Sequence, residues 1–198
     1  MGAPGAGKGT HAKEISARYK IPHISTGDIL RDEVQKNSPL GRTAKMYMDS
    51  GKLLPDEIIL EIIRNRFKEE DCKNGYLLDG FPRTLNQAQK LEEISPTQAA
   101  IYLRCNDELL IKRLTGRRMG EDGRIYNIYF DPPPAGVSVI QRNDDREETI
   151  RERLRVFYET FIPLMDFYRD KGLLYEIRGD EEREKVFKEI IGVLEKIK

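Results

Sequence analysis

Residues 2–10 read Gly2-Ala3-Pro4-Gly5-Ala6-Gly7-Lys8-Gly9-Thr10. The spacing fits the phosphate-loop pattern G-x-x-x-x-G-K, with Gly2, Gly7 and Lys8 at its fixed places. Glycines let backbone N–H groups wrap closely around phosphate oxygens, and the N-terminus of the following helix adds a favourable dipole. Lys8 is placed to bridge terminal phosphates. The general pattern has Ser or Thr directly after the lysine, whereas here Gly9 intervenes and Thr10 follows. Such a loop is expected at the end of a strand, and only Met1 precedes Gly2.

Beyond the loop, short β-like runs alternate with longer helical patterns, the order of a parallel α/β sheet flanked by helices. The predicted strands are Ile21–Ile24, Tyr76–Asp79, Ala99–Cys105 and Leu173–Ile177. The predicted helices are Lys8–Tyr19, Thr26–Lys36, Arg42–Ser50, Asp56–Glu69, Leu85–Glu93, Asp107–Thr115 and Glu182–Ile197. A further, longest helix carries the apolar stripe Ile150, Leu154, Phe157, Phe161, Met165 and Tyr168. Asp145 and Glu148 have the spacing of a capping box at its start, and Pro163 is expected to kink it or end its first part. The segment 116–143 breaks the pattern with Gly116, Gly120, Gly123, Gly136 and Pro132-Pro133-Pro134. It is too long for an ordinary connection and reads as a small inserted subdomain, with β-like pieces around Ile125–Phe130 and Val137–Ile140. Its Tyr126, Ile128, Tyr129 and Phe130 are expected to form a mini-core, with Tyr126 alone open to ligand stacking. His11 lies off the stripe of its helix and is expected in solvent, and His23 is expected simply to pack.

The 198 residues hold 34 Lys plus Arg and 34 Asp plus Glu, so the formal charge is zero. That balance argues against a nucleic-acid binder or an anionic-membrane binder. No apolar run approaches a membrane span, and no leader pattern is read at the N-terminus, so the cytoplasm is the expected compartment. Position 6 is Ala, which excludes a myristoylation reading. Cys72 and Cys105 are too few for a disulfide framework and read as reduced thiols. Charged residues make up 34% of the chain at a mean hydropathy of −0.62, the composition of a heavily charged surface.

Three further stretches follow the loop in order: Ser25-Thr26-Gly27-Asp28-Ile29-Leu30-Arg31, Leu78-Asp79-Gly80-Phe81-Pro82-Arg83-Thr84, and Arg142-Asn143-Asp144-Asp145. With Gly116-Arg117-Arg118, Gly123-Arg124-Ile125-Tyr126-Asn127 and Pro132-Pro133, they make the chain resemble the adenylate kinases over essentially its whole length. The resemblance implies a five-stranded parallel sheet, an AMP-binding subdomain (25–54), a mobile lid (116–143) and a phosphate-loop core (1–115 and 144–198). Four of those strands are accounted for. The absent one is the central strand, whose neighbours would stand roughly 9.5 Å apart, twice the usual spacing.

The resemblance also implies a chemistry: reversible phosphoryl transfer from ATP to AMP, giving ADP, with Mg²⁺. Such a transfer needs alignment, charge neutralisation and exclusion of water rather than a general base. Lys8 would hold the β- and γ-phosphates of ATP, with Gly5, Ala6, Gly7, Gly9 and Thr10 as the cradle. Asp79 would organise Mg²⁺ through water. Arg31 and Arg83 would grip the AMP phosphate, Arg113 and Arg117 would approach from the lid side, and Arg142 and Arg153 would close over both nucleotides. Helical phase favours Arg153 and Arg113, each about 60° from an apolar stripe, over Arg155 at about 140°. Thr26, Lys52, Leu53, Leu54, Gly80, Phe81, Pro82 and Gln87 map onto the AMP site. Ile125, Tyr126 and the Glu181 backbone would flank the ATP adenine and ribose. Some family members hold zinc in the lid. Residues 116–143 contain no Cys or His, so no zinc is expected here.

Three rivals remain at this point. A signalling GTPase would need an Asn-Lys-x-Asp motif, which the sequence lacks. A nucleotide-binding relic without turnover is made plausible by the absent strand. A kinase using UMP or CMP as acceptor, or GTP as donor, would keep the same mechanism. A monomer is expected from the resemblance.

Overall fold

A computed structural model describes residues 1–121 and 123–197. Helix α1 (Lys8–Tyr19) leaves the glycine-rich loop and leads through β1 (His23–Ser25) into α2 (Thr26–Gln35) and α3 (Pro39–Asp49). Then come α4 (Asp56–Arg66), β2 (Leu77–Asp79), α5 (Leu85–Ile94), β3 (Ala100–Arg104) and α6 (Asp107–Thr115). The strands β4 (Arg117–Gly120), β5 (Ile125–Asn127) and β6 (Val139–Ile140) precede the long α7 (Glu147–Asp170), β7 (Leu174–Arg178) and α8 (Arg183–Lys196). The chain is thus an α/β protein with parallel strand pairs, as the alternating pattern predicts.

The parallel strands fall into two pairs. β1 lies on β2 with Ile24 opposite Leu78, and β3 lies on β7 with Tyr102 opposite Glu176. Between the pairs Met1 stands in the place of a strand residue: its amine donates to Ile101 O, and Leu103 N donates to Met1 O at 3.0 Å. A cavity of about 810 Å³ occupies the rest of that gap, with Leu77, Ala100, Ile101, Phe157, Phe161 and Leu164 among its walls. At one end it reaches Lys8, Arg83 and Arg153. Burial pushes the Met1 amine down to about 5, with the Lys8 charge adding to the effect.

Among the described residues, three apolar clusters hold the body together, the smallest of Ala88, Ala100, Leu164 and Tyr168. One joins Ile15, Leu103, Leu110, Leu114, Ile150, Leu154, Ile177, Val186 and Ile190. Another joins Ile24, Leu30, Ala44, Leu54, Ile59, Leu60, Ile63, Phe81 and Leu91, and so packs α2, α3 and α4 against β1 and the turn after β2. Helix starts follow their caps: Ser25 Oγ accepts from Asp28 N, Thr84 Oγ1 from Gln87 N, and Asn106 Oδ1 from Leu109 N.

Several local expectations are corrected. The capping box at α7 does not form: the helix starts after Arg146, and Asp145 is drawn into an ion pair with Arg117 instead. Pro163 does not end α7, which runs continuously through it, and Leu164 rather than Met165 is the buried stripe residue. Around Ile125–Phe130 and Val137–Ile140 the chain forms an antiparallel sheet of order β5-β4-β6. The mini-core is limited to Tyr126, which is buried under the Arg124 guanidinium. Ile128, Tyr129 and Phe130 are exposed, and the Lys112 ammonium lies over the last two rings. This small sheet has too few layers to cover both faces. His11 is buried rather than solvated: α8 brings Phe187 alongside its ring, and Glu14 pairs with its Nδ1.

Candidate active site

The loop before α1 folds around the Lys8 ammonium, which donates to Gly2 O at 2.8 Å and Ala3 O at 2.9 Å. Burial pushes Lys8 down to about 8; Asp79 opposes that shift, and Arg83, Arg153 and Arg117 add to it. Gly9, the departure from the general pattern, faces Asp79: a Cβ there would stand 3.3 Å from Asp79 Oδ2. Asp79 closes β2 beside Ser25, and His23, two residues earlier on β1, brings Nε2 within 3.3 Å of Asp79 Oδ2. His23 therefore does more than pack. Burial favours the neutral acid at Asp79, but the His23 hydrogen bond and the Lys8 charge outweigh it and hold the carboxyl near 2. Among the described residues, no group of three or more His, Cys, Asp or Glu could hold a metal ion, so Asp79 stands as a single carboxylate.

Opposite the loop lies a pocket lined by Thr26, Arg31, Lys52, Leu53, Leu54, Gly80, Arg83, Gln87 and Arg153, nine of the residues assigned to the acceptor from the sequence. Met48 and Ile59, which belong to no motif, also line it, as does Asp144, which lies in the 142–145 stretch without an assigned role. Thr26 Oγ1 donates to Gly80 O at 2.9 Å, and Arg83 Nε donates to the same oxygen at 2.7 Å. Gly80 is at φ +75° with no room for a side chain, since a Cβ would fall 2.9 Å from Arg83 Nη2 and 3.0 Å from Thr26 Oγ1. Phe81 is buried in the core behind the pocket, and Pro82, joined to it by a cis peptide, lines the neighbouring cavity. Arg31 Nη2 sits 2.5 Å from Asp28 Oδ1.

Arginines and two aspartates fill the space between loop and pocket. Arg117 forms a two-pronged pair with Asp145, and Arg153 Nη1 lies 2.9 Å from Asp144 Oδ2 and 3.5 Å from Asp145 Oδ1. The Arg153 side chain is 17% exposed whereas Arg155 is 55% exposed, as helical phase predicts. Burial, together with neighbouring arginines, pushes Arg83 and Arg142 down to about 10 and lowers Arg153. At Arg117 burial works the same way, but Asp145 outweighs it and the pKa rises. Arg142 Nε is buried without a hydrogen-bond partner. More guanidinium charge is gathered here than the two aspartates neutralise, which is the electrostatics of a site for multiply charged anions.

Arg113 lies elsewhere. Its Nη1 donates to Gly179 O at 3.0 Å on the core, below the loop rather than on the lid side. The Glu181 side chain pairs with Arg178 and Lys185 at the start of α8. Ile125 is partly exposed on β5, and buried Tyr126 presents no free face for stacking.

Comparison with known proteins agrees with this geometry. The profile of the family described as "Adenylate kinase" matches residues 1–173. The adenylate kinase of Clostridium tetani is 48% identical over 207 residues, covering 98% of this chain and 96% of its own length. That of Archaeoglobus fulgidus is 46% identical over 211 residues, covering 100% and 97%. That of Caldicellulosiruptor saccharolyticus is 44% identical over 207 residues, covering 98% and 96%. A glycine-rich loop around Lys8, a second pocket across a bank of arginines, and likeness of this extent lead to one conclusion: the chain belongs to the adenylate kinase family.

Proposed function

We propose that the Lys8 loop and the Arg83 pocket are the donor and acceptor halves of one phosphotransfer site. The enzyme is a nucleoside monophosphate kinase of the adenylate kinase type. The observation that carries the reading is that Arg83 and Arg153 line the acceptor pocket while their charges also reach Lys8. A γ-phosphate held at Lys8 and an α-phosphate held at Arg83 are thereby brought to one place. In this reading Gly5, Ala6, Gly7, Gly9 and Thr10 cradle the ATP phosphates. Arg31 and Arg83 hold the AMP phosphate, and Arg117, Arg142 and Arg153 neutralise the charge spread over the transferring group. Arg113 serves the donor side from below through the loop at Gly179, and Ile125, Tyr126 and Glu181 border the ATP base.

Magnesium fits the site as a nucleotide-borne ion, since Asp79 alone cannot supply an octahedral set and would act through water. When bound, the ion neutralises phosphate charge; orienting the two nucleotides falls to the loop and the arginines. Residues 116–143 form the lid that excludes water, and residues 25–54 close on AMP. The chain works as a monomer in the cytoplasm, on ATP, AMP and ADP, with no nucleic acid or membrane partner. No helix among the described residues is long and apolar enough to cross a membrane.

The test is ADP formation from ATP and Mg²⁺ with AMP, UMP, CMP and GMP as parallel acceptors. AMP is expected to exceed the others by at least about a hundredfold in kcat/KM. Comparable turnover of UMP or CMP would overturn the acceptor assignment. Nucleotide binding without turnover of any acceptor would favour the relic.

A further inference from the structure

Gln87 is buried at the base of the acceptor pocket, 2% exposed, and both ends of its amide are held. Its Oε1 accepts from Arg83 N at 2.7 Å, and its Nε2 donates to Asp56 Oδ1 at 2.7 Å. A carboxylate can only accept and a backbone N–H can only donate, so the amide has one permitted orientation. Turned over, it would set Oε1 against the Asp56 carboxylate and Nε2 against the Arg83 N–H, which is two repulsions in a buried place. Asp56 is itself fixed: Oδ2 accepts from Asn86 Nδ2 at 2.7 Å and from Thr84 Oγ1 at 3.1 Å, and its backbone opens α4. It does not line the pocket.

We infer that Asp56 is a positioning residue that acts through Gln87 and sets the choice between 6-amino and 6-oxo purine acceptors. The inference rests on the reading of this pocket as the AMP site. Each end of the Gln87 amide keeps one free hydrogen-bonding valence, one oxygen lone pair and one N–H. The 6-amino purine edge offers a donor at N6 and an acceptor at N1, which match that pair. A 6-oxo purine offers an acceptor at O6 and a donor at N1, which would match only the turned amide. By adding its repulsion to the one at Arg83 N, Asp56 makes the turn too costly, so the pocket rejects the 6-oxo base rather than merely preferring the 6-amino one.

The experiment compares kcat and KM for AMP and IMP in the wild type, Asp56→Asn and Asn86→Ala. IMP differs from AMP at the 6-position and the N1 proton without adding the 2-amino group of GMP. Asparagine can present either a donor or an acceptor to Gln87, so the turned amide meets one repulsion, at Arg83 N, in place of two. Asp56→Asn is expected to lower the AMP-to-IMP ratio of kcat/KM by at least about tenfold, through a higher KM for AMP. The kcat with saturating AMP and the KM for ATP should stay within about threefold. Asn86→Ala removes a partner of Asp56 that does not touch Gln87 and should leave the ratio unchanged. Should Asp56→Asn unfold, as judged by far-UV circular dichroism, Asp56→Ser offers the same freedom and the same expected collapse.

Equal losses for AMP and IMP, with the ratio held within about twofold, would overturn the inference and leave Asp56 a structural residue. So would the same collapse in Asn86→Ala, or a wild type that does not discriminate the two bases. Failure of the wild type to use AMP at all would instead strike the proposed function.

Discussion

Arg117 at the first position of β4 and Asp145 just before α7 form a buried two-pronged ion pair, with Nε to Oδ2 at 2.7 Å and Nη2 to Oδ1 at 2.5 Å. The pair joins the two ends of the inserted segment, where it leaves α6 and where it rejoins α7. Asp145 is fully buried, and Arg153 from the second turn of α7 approaches its Oδ1. One carboxylate therefore organises two of the arginines assigned to the transferring phosphoryl group.

Removing that carboxylate leaves Arg117 buried without its partner. Asp145→Ala is expected to cost about 3–5 kcal/mol, the usual penalty for breaking a buried pair from one side. Urea unfolding followed by circular dichroism measures it. A loss below about 1 kcal/mol would mean that the ends of the insert are held by other contacts.

Arg83→Ala and Arg153→Ala are each expected to lower the rate of ADP formation by about 10³-fold or more, since each removes a guanidinium that neutralises charge on the transferring group. The folded state should persist in both. Near-full turnover in either variant contradicts the role given to that residue.

The Lys8 charge gives opposite pH trends for binding and for stability. Burial brings its pKa down from 10.5 to about 8 in the folded protein without nucleotide. Above pH 8 the folded state has released this proton while the unfolded state still holds it, so this group makes stability rise with pH up to about 10.5. The same loss of charge weakens ATP binding, towards a limit of about tenfold per pH unit. Calorimetric titration with ATP and urea melts between pH 7 and 10 would follow both trends, and Lys8→Met should flatten both.

The cavity between the strand pairs makes a stability prediction of its own. Two inner edges face it, and Met1 already pairs with β3 as a strand residue would. Placing Ile-Val-Ile-Val directly before Met1 should extend that pairing and fill apolar space. Burial of about 2–2.5 kcal/mol per side chain, less about 1.5 kcal/mol per ordered residue, leaves a gain of about 2–4 kcal/mol over the four residues. An unchanged urea midpoint would mean that the two pairs do not accept a strand between them.

Much of this architecture is legible in the sequence because its signals are local. Helices α1 and α6 match their predicted limits to the residue, since Gly7 opens one and the Asn106 side chain caps the other. The lining of the proposed acceptor pocket is legible too: Thr26, Arg31, Gly80 and Arg83 sit in short motifs, with Gln87 just beyond one of them, and the fold brings them to one pocket. What escaped depends on partners far away in the chain. Asp145 has the spacing of a helix cap, but a buried arginine 28 positions earlier competes for its carboxylate and wins. His11 lies off the apolar stripe of α1 and is buried because α8 returns to cover it. Asp56 carries no motif at all; its meaning comes from Gln87, 31 positions away.

The measurement that tests the central claim most directly is the nucleotide balance of a reaction containing ATP, Mg²⁺ and AMP, followed by ³¹P NMR. If the Lys8 loop and the Arg83 pocket form one site, each ATP consumed yields two ADP, and none forms when AMP is left out. Release of inorganic phosphate with a single ADP per ATP, at a rate indifferent to AMP, would show that the two halves do not act together.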